Sequence, residues 1–138
     1  MKILVPVLCG KEVDAMFVDA ITNKVDEIIL LQIVDNEFHS RAGSAVSEVR
    51  QFRIILDELK KAIGHKRKKC LELTEWGSTI QKIISLALLR KVDKVFLVEQ
   101  QNQFFQNILT ELKKKKIAVE VIVVPDPVQV EKKKKGLW

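Results

Sequence analysis

Residues 27–34 read EIILLQIV, and this segment is the strongest indication of the fold class. Its apolar side chains are nearly continuous, whereas a strand with one solvated face alternates apolar and polar residues. A strand of this kind is covered on both faces, which is typical of parallel sheets flanked by helices. The segment therefore predicts an α/β protein with a sheet between two helical layers.

Other strand and helix patterns alternate around this segment. Further apolar runs with strand character occupy residues 3–7, 70–73, 95–98 and 117–124. Helical apolar spacing marks residues 13–24, 46–63, 80–88 and 105–112, and Gly64 is expected to end the second helix. Ser78 and Gln81 predict a capping box for the third helix. Five strands with helical crossovers predict a doubly wound parallel sheet.

Length and composition restrict the class of protein. A chain of 138 residues with 47% hydrophobic and 30% charged residues fits one domain and excludes a disordered or collagen-like chain. We expect a domain over residues 1–124 and a Pro/Lys-rich tail over 125–138. No apolar run is long enough to cross a bilayer, and Cys9 and Cys70 form no metal or redox motif. A cytoplasmic protein with reduced thiols is expected.

The formal net charge of +6 comes from clusters. Three basic runs, at 66–69, 113–116 and 132–135, hold 12 of the 24 basic residues, so the rest of the chain, with 12 basic against 18 acidic side chains, carries −6. The first two runs follow predicted helices, where cations offset the partial negative charge of the helix C-terminus. They are also candidates for an anionic partner such as nucleic acid, an anionic membrane surface or an acidic protein. These candidate residues are Lys66, Arg67, Lys68, Lys69, Lys113, Lys114, Lys115 and Lys116.

No motif specifies an enzyme at the edge where ligands bind in such folds, the carboxyl ends of the strands. The chain has neither a dinucleotide-binding glycine motif nor a P-loop, and its only histidines are His39 and His65. Cys9 is either an inert turn residue or a thiol with a pKa lowered by a helix N-terminus. Trp76 either packs at a loop or stacks on a flat ring. Asp35, Glu37 and His39 favour a solvated loop over a metal site, so no metal is expected.

Three segments resemble the universal stress protein family: the KILVPV strand at 2–7, the helix after it, and the run EWGSTIQKIISLALLRKVDKVFLV at 75–98. Gly77, Ile83 and Asp93 match positions typical of that family. The resemblance covers most of residues 1–124. It implies a five-stranded parallel sheet in the order 3-2-1-4-5, a role in stress response, and a dimer in which the last strand pairs across the interface.

The sequence departs from the family's ATP-binding members at the nucleotide cleft. Those members have an Asp after the first strand, where this chain has Leu8, and a glycine-rich phosphate loop after the fourth strand. Residues 99–107 contain no glycine, although close approach of backbone N–H groups to phosphate favours residues without a Cβ. The positions that correspond to the family's cleft are Leu8, Cys9, Gly10, Asp35, Trp76, Gly77, Glu99 and Gln100.

These observations predict a universal-stress-protein-like regulatory or interaction module that is not an enzyme and has no bound cofactor. Four acidic residues, Asp35, Glu37, Glu75 and Glu99, give the expected ligand edge the wrong charge for a phosphate site. The apolar run at 117–124 would be an exposed sheet edge, which favours a homodimer formed through it. Two alternatives remain open: a protein that binds ATP or AMP through an unorthodox loop, and a binder of anionic partners through the basic runs.

Overall fold

The computed structural model describes residues 1–35 and 45–125, with only the backbone for 45–49. Strands and helices alternate along these residues. The strands are β1 Lys2–Pro6, β2 Glu27–Val34, β3 Lys69–Trp76, β4 Lys94–Val98 and β5 Val119–Ile122. The helices are α1 Ala15–Thr22, α2 Ala45–His65, α3 Thr79–Leu89 and α4 Gln103–Lys114, and a 3-10 turn, Lys11–Val13, precedes α1. All strand pairs are parallel and the order is β3-β2-β1-β4-β5, as predicted.

Strand β2 is covered on both faces. Ile28 and Leu30 belong to one hydrophobic core with α1 and α2, whereas Ile29, Leu31 and Ile33 belong to a second core with α3 and α4. Every residue of β2 after Glu27 is buried. Each fully buried large apolar side chain contributes roughly 1.5–3 kcal/mol. The interpretation of EIILLQIV as a strand between two helical layers is confirmed.

Several predicted boundaries were wrong. The first helix does not span 13–24, because Asp14 is extended and starts α1 as its N-cap, and α1 ends at Thr22. Gly64 does not end α2, which continues to His65. Strand β3 is longer than 70–73, since its pairing with β2 continues to Trp76. Strand β5 is shorter than 117–124.

The ends of the predicted fifth strand have other roles. The N–H of Ile117 donates to the Leu112 carbonyl at 3.0 Å and completes the turn after α4. Val124 lies beyond β5 and is buried in the core that α1 and α2 share. The tail predicted at 125–138 lies outside the described residues from 126 onward.

Basic residues form the turns that connect helices to strands. The described non-glycine residues with positive φ lie between a helix and the next strand, and they are Lys24, Arg67, Lys91 and Lys116. After α2, α3 and α4, an N–H returns to a carbonyl five residues earlier, as in a Schellman motif: Lys68 to Ile63, Val92 to Ala87 and Ile117 to Leu112. Such positions usually carry glycine, because a Cβ makes the left-handed conformation unfavourable. We call this side of the sheet, with the helix C-termini and strand N-termini, the basal edge.

Candidate functional site

The fold places all eight predicted site residues at the carboxyl edge of the sheet. Leu8, Cys9 and Gly10 follow β1, and Asp35 follows β2. Trp76 and Gly77 lie at the end of β3, and Glu99 and Gln100 follow β4. Two backbone hydrogen bonds join neighbouring strand ends: Gly77 N–H donates to the Val34 carbonyl at 3.0 Å, and Glu99 N–H donates to the Ile122 carbonyl at 2.9 Å.

A buried carboxylate occupies the concave turn after β1. Glu12 is only 1% exposed. Its Oε2 accepts hydrogen bonds from the backbone N–H groups of Leu8 at 3.0 Å and Cys9 at 3.3 Å, and its Oε1 accepts from Gly10 at 2.8 Å. Successive N–H groups that converge in this way form an anion-binding concavity. In this chain, Glu12 itself supplies the anion.

Gly10 makes this turn possible. Its φ is +90°, a conformation that side chains with a Cβ rarely adopt, and a Cβ at this position would lie 3.1 Å from Cδ1 of Ile55. The glycine therefore lets the chain turn back closely enough for three consecutive N–H groups to reach Glu12.

A second carboxylate, from Asp35, caps helix α3. Its Oδ2 accepts from the backbone N–H and from the Oγ1 hydroxyl of Thr79, both at 2.9 Å. Ser78 is the N-cap residue, but its side chain makes no capping hydrogen bond, so the predicted Ser78–Gln81 capping box is wrong. The reason is that Asp35, at the end of the neighbouring strand, satisfies the helix terminus from outside the local sequence.

The other described helix N-termini at this edge also have side-chain acceptors from the chain itself. Asp14 Oδ1 accepts from the Met16 N–H at 2.9 Å and caps α1. Asn102 Oδ1 accepts from the Phe105 N–H at 2.7 Å and caps α4. Free N–H groups at helix N-termini are the usual anchors for phosphate. At α1, α3 and α4, one or more of these groups are already bound to the protein.

The thiol of Cys9 is not activated. Its pKa is raised from the ordinary value of 9.0 to about 12, first because burial disfavours the thiolate and second because the Glu12 carboxylate repels it. The Sγ atom lies 3.5 Å from Oε2 of Glu12, to which it donates. The structure therefore supports the interpretation of Cys9 as an inert turn residue over that of a thiol with a lowered pKa.

The loop after β4 lacks the backbone conformations of a phosphate-binding loop. Within the described part of the chain, Gly10 and Gly77 are the glycines with positive φ, and no residue of the loop at 99–102 has one. The side chain of Gln100 accepts from the amide of Asn102 at 3.1 Å. Next to this loop, α4 starts directly at Gln103.

Trp76 is the most accessible aromatic group of the described edge, with 67% of its surface exposed. The interpretation of this residue as a packed loop side chain is therefore wrong. It lies at the end of β3, which is an edge strand of the sheet in the described part of the chain. At this exposure its indole is accessible to a flat molecule.

A metal site finds no support in the described residues. No group of three or more His, Cys, Asp or Glu side chains in ranges 1–35 and 50–125 is arranged to hold a metal ion. Of the three residues weighed for this role, Glu37 and His39 lie outside the described residues, and the Asp35 carboxylate binds Thr79. Nor does any helix of the described chain have the length and apolarity to cross a membrane.

Sequence reasoning missed four residues that shape this edge. Asp14 and Asn102 each precede an apolar helical run, and this is the usual signal of an N-cap. The signal for Glu12 in the sequence was weak, since it is only an acidic residue shortly after a strand and a glycine. Thr79 gave no signal, because its partner Asp35 is 44 residues away in the chain.

Comparison with known proteins identifies the fold. No protein-family model matches the sequence, and no curated protein does. The solved structure of the hypothetical protein MJ0577 matches with a TM-score of 0.66 at 18% identity, covering 91% of this chain and 96% of that one. The universal stress protein UspA from Lactobacillus plantarum matches with a TM-score of 0.66 at 14% identity, covering 91% and 97%.

A third structure carries a ligand. It is a universal stress protein in complex with cAMP, and it matches with a TM-score of 0.58 at 13% identity, covering 91% of this chain and 98% of that one. At such identities the likeness concerns the fold. The chain therefore has the fold seen in universal stress proteins, over nearly its whole length.

Proposed function

We propose that this chain, with the fold of universal stress proteins, is a non-enzymatic regulatory or interaction module whose nucleotide cleft is closed to phosphate by its own carboxylates. Homodimer formation through β5 is part of the proposal. The module would act by presenting surfaces to partners, with no need of a bound nucleotide.

The buried Glu12 carboxylate carries this proposal. It accepts from three consecutive N–H groups in the turn after β1, so a phosphate that entered this turn would have to displace a desolvated, fully hydrogen-bonded anion. The half-buried Asp35 carboxylate is also bound, by the N–H and the hydroxyl of Thr79 at the start of α3. Two carboxylates at one edge also repel a triphosphate through space.

Titration calorimetry with ATP, ADP, AMP and cAMP, with and without magnesium, tests the closed cleft. We expect no heat of binding at high micromolar nucleotide. Tight binding would overturn the proposal in favour of the alternative, a nucleotide-binding protein with the base against Trp76 and the phosphates near Cys9 and Gly77. The similar universal stress protein with bound cAMP makes this alternative specific enough to test. A Trp76→Ala variant shows whether any binding uses the exposed indole.

The dimer proposal rests on the edge that β5 leaves open. Among the described strands, β5 has a hydrogen-bonded neighbour only in β4. Val121 is 36% exposed and Val123 is 61% exposed, so this edge, which no other described strand covers, presents apolar side chains. Such edges are usually covered, and a second copy pairing its own β5 would cover this one.

Light scattering tests the dimer, and the two sheet edges supply a matched control. Val121→Lys in β5 should convert a concentration-independent dimer to a monomer, because it places a charge in the interface. Leu71→Lys, at the β3 edge with 37% exposure, should leave the dimer intact. A monomeric wild-type protein at micromolar concentration would contradict the proposal, and so would dissociation by Leu71→Lys alone.

A further inference from the structure

Helices α3 and α4 end at the same corner of the molecule. Both pack in one hydrophobic core on one face of the sheet, and both connect parallel strands, so their C-termini point to the basal edge. We call the group formed by these two helix ends the basal corner. Its members are Leu88, Leu89, Arg90, Lys91, Lys113, Lys114, Lys115 and Lys116.

The cations of the basal corner are largely uncompensated. Lys91, Lys113, Lys115 and Lys116 form no ion pair with any described residue, while Lys114 forms an exposed pair with Glu111 at 3.3 Å. The buried Nε of Arg90 has no hydrogen-bond partner among the described residues. A helix dipole accounts for about half a negative charge at each C-terminus, which is far less than the six cations present.

Two adjacent leucines protrude beside these cations. Leu88 is 55% exposed and Leu89 is 73% exposed. The buried stripe of α3 is formed by Thr79, Ile83, Ile84, Leu86 and Ala87, so the two leucines lie outside it. Within the described residues nothing covers them. Neighbouring exposed leucines next to a polybasic cluster match an occupant that is anionic and apolar at once.

An anionic lipid bilayer has this combination. Its headgroups attract lysines close to the surface, and its acyl boundary accepts leucines that enter between the headgroups. The phosphate backbone of a nucleic acid would satisfy the lysines and leave the leucines in water. We therefore propose that the basal corner binds peripherally to anionic membrane surfaces, with Leu88 and Leu89 inserted and the surrounding lysines at the headgroups.

Vesicle co-sedimentation tests this proposal with two kinds of vesicle, pure phosphatidylcholine and phosphatidylcholine mixed with phosphatidylglycerol. The wild-type protein should bind the mixed vesicles and leave the pure ones free. Each lysine near the surface is worth about fivefold in partitioning, so the triple variant Lys113→Gln, Lys115→Gln, Lys116→Gln should bind roughly a hundredfold more weakly. Leu88→Ser with Leu89→Ser should lower binding at least about tenfold.

Two control variants keep the comparison matched. Lys82→Gln removes a lysine from the other end of the same helix, and Ile54→Ser removes an exposed apolar side chain, 60% accessible, from α2 on the opposite face. Both should bind the mixed vesicles like the wild type. Circular dichroism melting of every variant separates loss of binding from loss of folding.

Three results would overturn the proposal. One is no binding to mixed vesicles at low salt. Another is unchanged vesicle binding by the Leu88→Ser, Leu89→Ser variant, which would show that the leucines do not insert and that charge alone accounts for the binding. The third is filter binding of RNA or DNA that is tighter than vesicle binding and indifferent to the leucines, which would identify a nucleic-acid surface. Nucleotide calorimetry and the β5 dimer do not depend on these outcomes.

Discussion

Replacement of Glu12 by Gln is the perturbation that tests the closed cleft most directly. The side chain keeps its size, but one carboxylate oxygen becomes an NH2 group that faces backbone N–H donors. The variant therefore loses either the bond from Gly10 or the pair of bonds from Leu8 and Cys9. At this buried position, water cannot replace them.

The expected loss of stability follows from these bonds. A hydrogen bond to a charged acceptor contributes about 1.5–3 kcal/mol, so the loss of one or two bonds costs roughly 1.5–6 kcal/mol of unfolding free energy. For a domain of this size, that lowers Tm by roughly 5–20 °C. Glu111→Gln removes an exposed carboxylate from an ion pair with Lys114 and should cost no more than about 0.5 kcal/mol.

Urea unfolding followed by circular dichroism measures both variants. Comparable m-values would show that the denatured state is unchanged and that the shift in midpoint reports stability. If Glu12→Gln lies within about 1 kcal/mol of the wild type, Glu12 is not the buried acceptor of three N–H groups, and the reasoning fails.

A second readout uses Glu12→Ala, which empties the turn after β1. The three N–H groups then lack an acceptor, and the turn regains its capacity for a small anion. Inorganic phosphate or sulfate should raise the Tm of this variant more than that of the wild type at equal ionic strength. Equal effects on both proteins would show that Glu12 does not block an anion site.

Three further predictions concern the rest of the described structure. Asp35→Ala should lower the free energy of unfolding by about 1–2 kcal/mol in urea, because it removes the cap of α3. Ser78→Ala should lower it by less than about 0.5 kcal/mol. A larger loss for Ser78→Ala than for Asp35→Ala would favour the capping box. Burial raises the pKa of Cys9 to about 12, so the thiol ionises in the unfolded state before it does in the folded state. The free energy of unfolding should therefore fall between pH 9 and 12. Cys9→Ser should make this fall smaller. Burial raises the pKa of Glu72, but hydrogen bonds from Lys60 and Arg53 outweigh it and lower the pKa below the ordinary value of 4.5. The free energy of unfolding should therefore drop as the pH falls below about 4.5. The drop should be smaller in Glu72→Gln.

The periodicity of single segments predicted most of the fold. The apolar run EIILLQIV at 27–34 indicates burial on both faces, because a strand with one solvated face alternates apolar and polar side chains. In the structure, seven consecutive residues of this strand are buried. Helix existence followed from apolar spacing in the same way. Helix ends were less predictable. Gly64 lies inside α2, and the left-handed residue in the turn after each helix is a lysine or an arginine.

The candidate site was predictable in position and not in content. Strand ends of a doubly wound sheet meet at one edge, so the eight residues from Leu8 to Gln100 are where the sequence placed them. What those residues bind depends on contacts across the fold. Asp35 reaches Thr79 over 44 positions, and the pairing of β2 with β3, which places Val34 opposite Trp76, brings them together.

The layers, the order of helices and strands, and the clustering of positive charge at helix ends could all be predicted from the sequence, because they follow from the local periodicity and charge of each segment. The folded structure was needed to show that Glu12 is buried in the turn after β1 and that Leu88 and Leu89 remain exposed near the end of α3. Burial and exposure of single side chains depend on which elements pack against them. That packing is a property of the whole sheet, and no single segment encodes it.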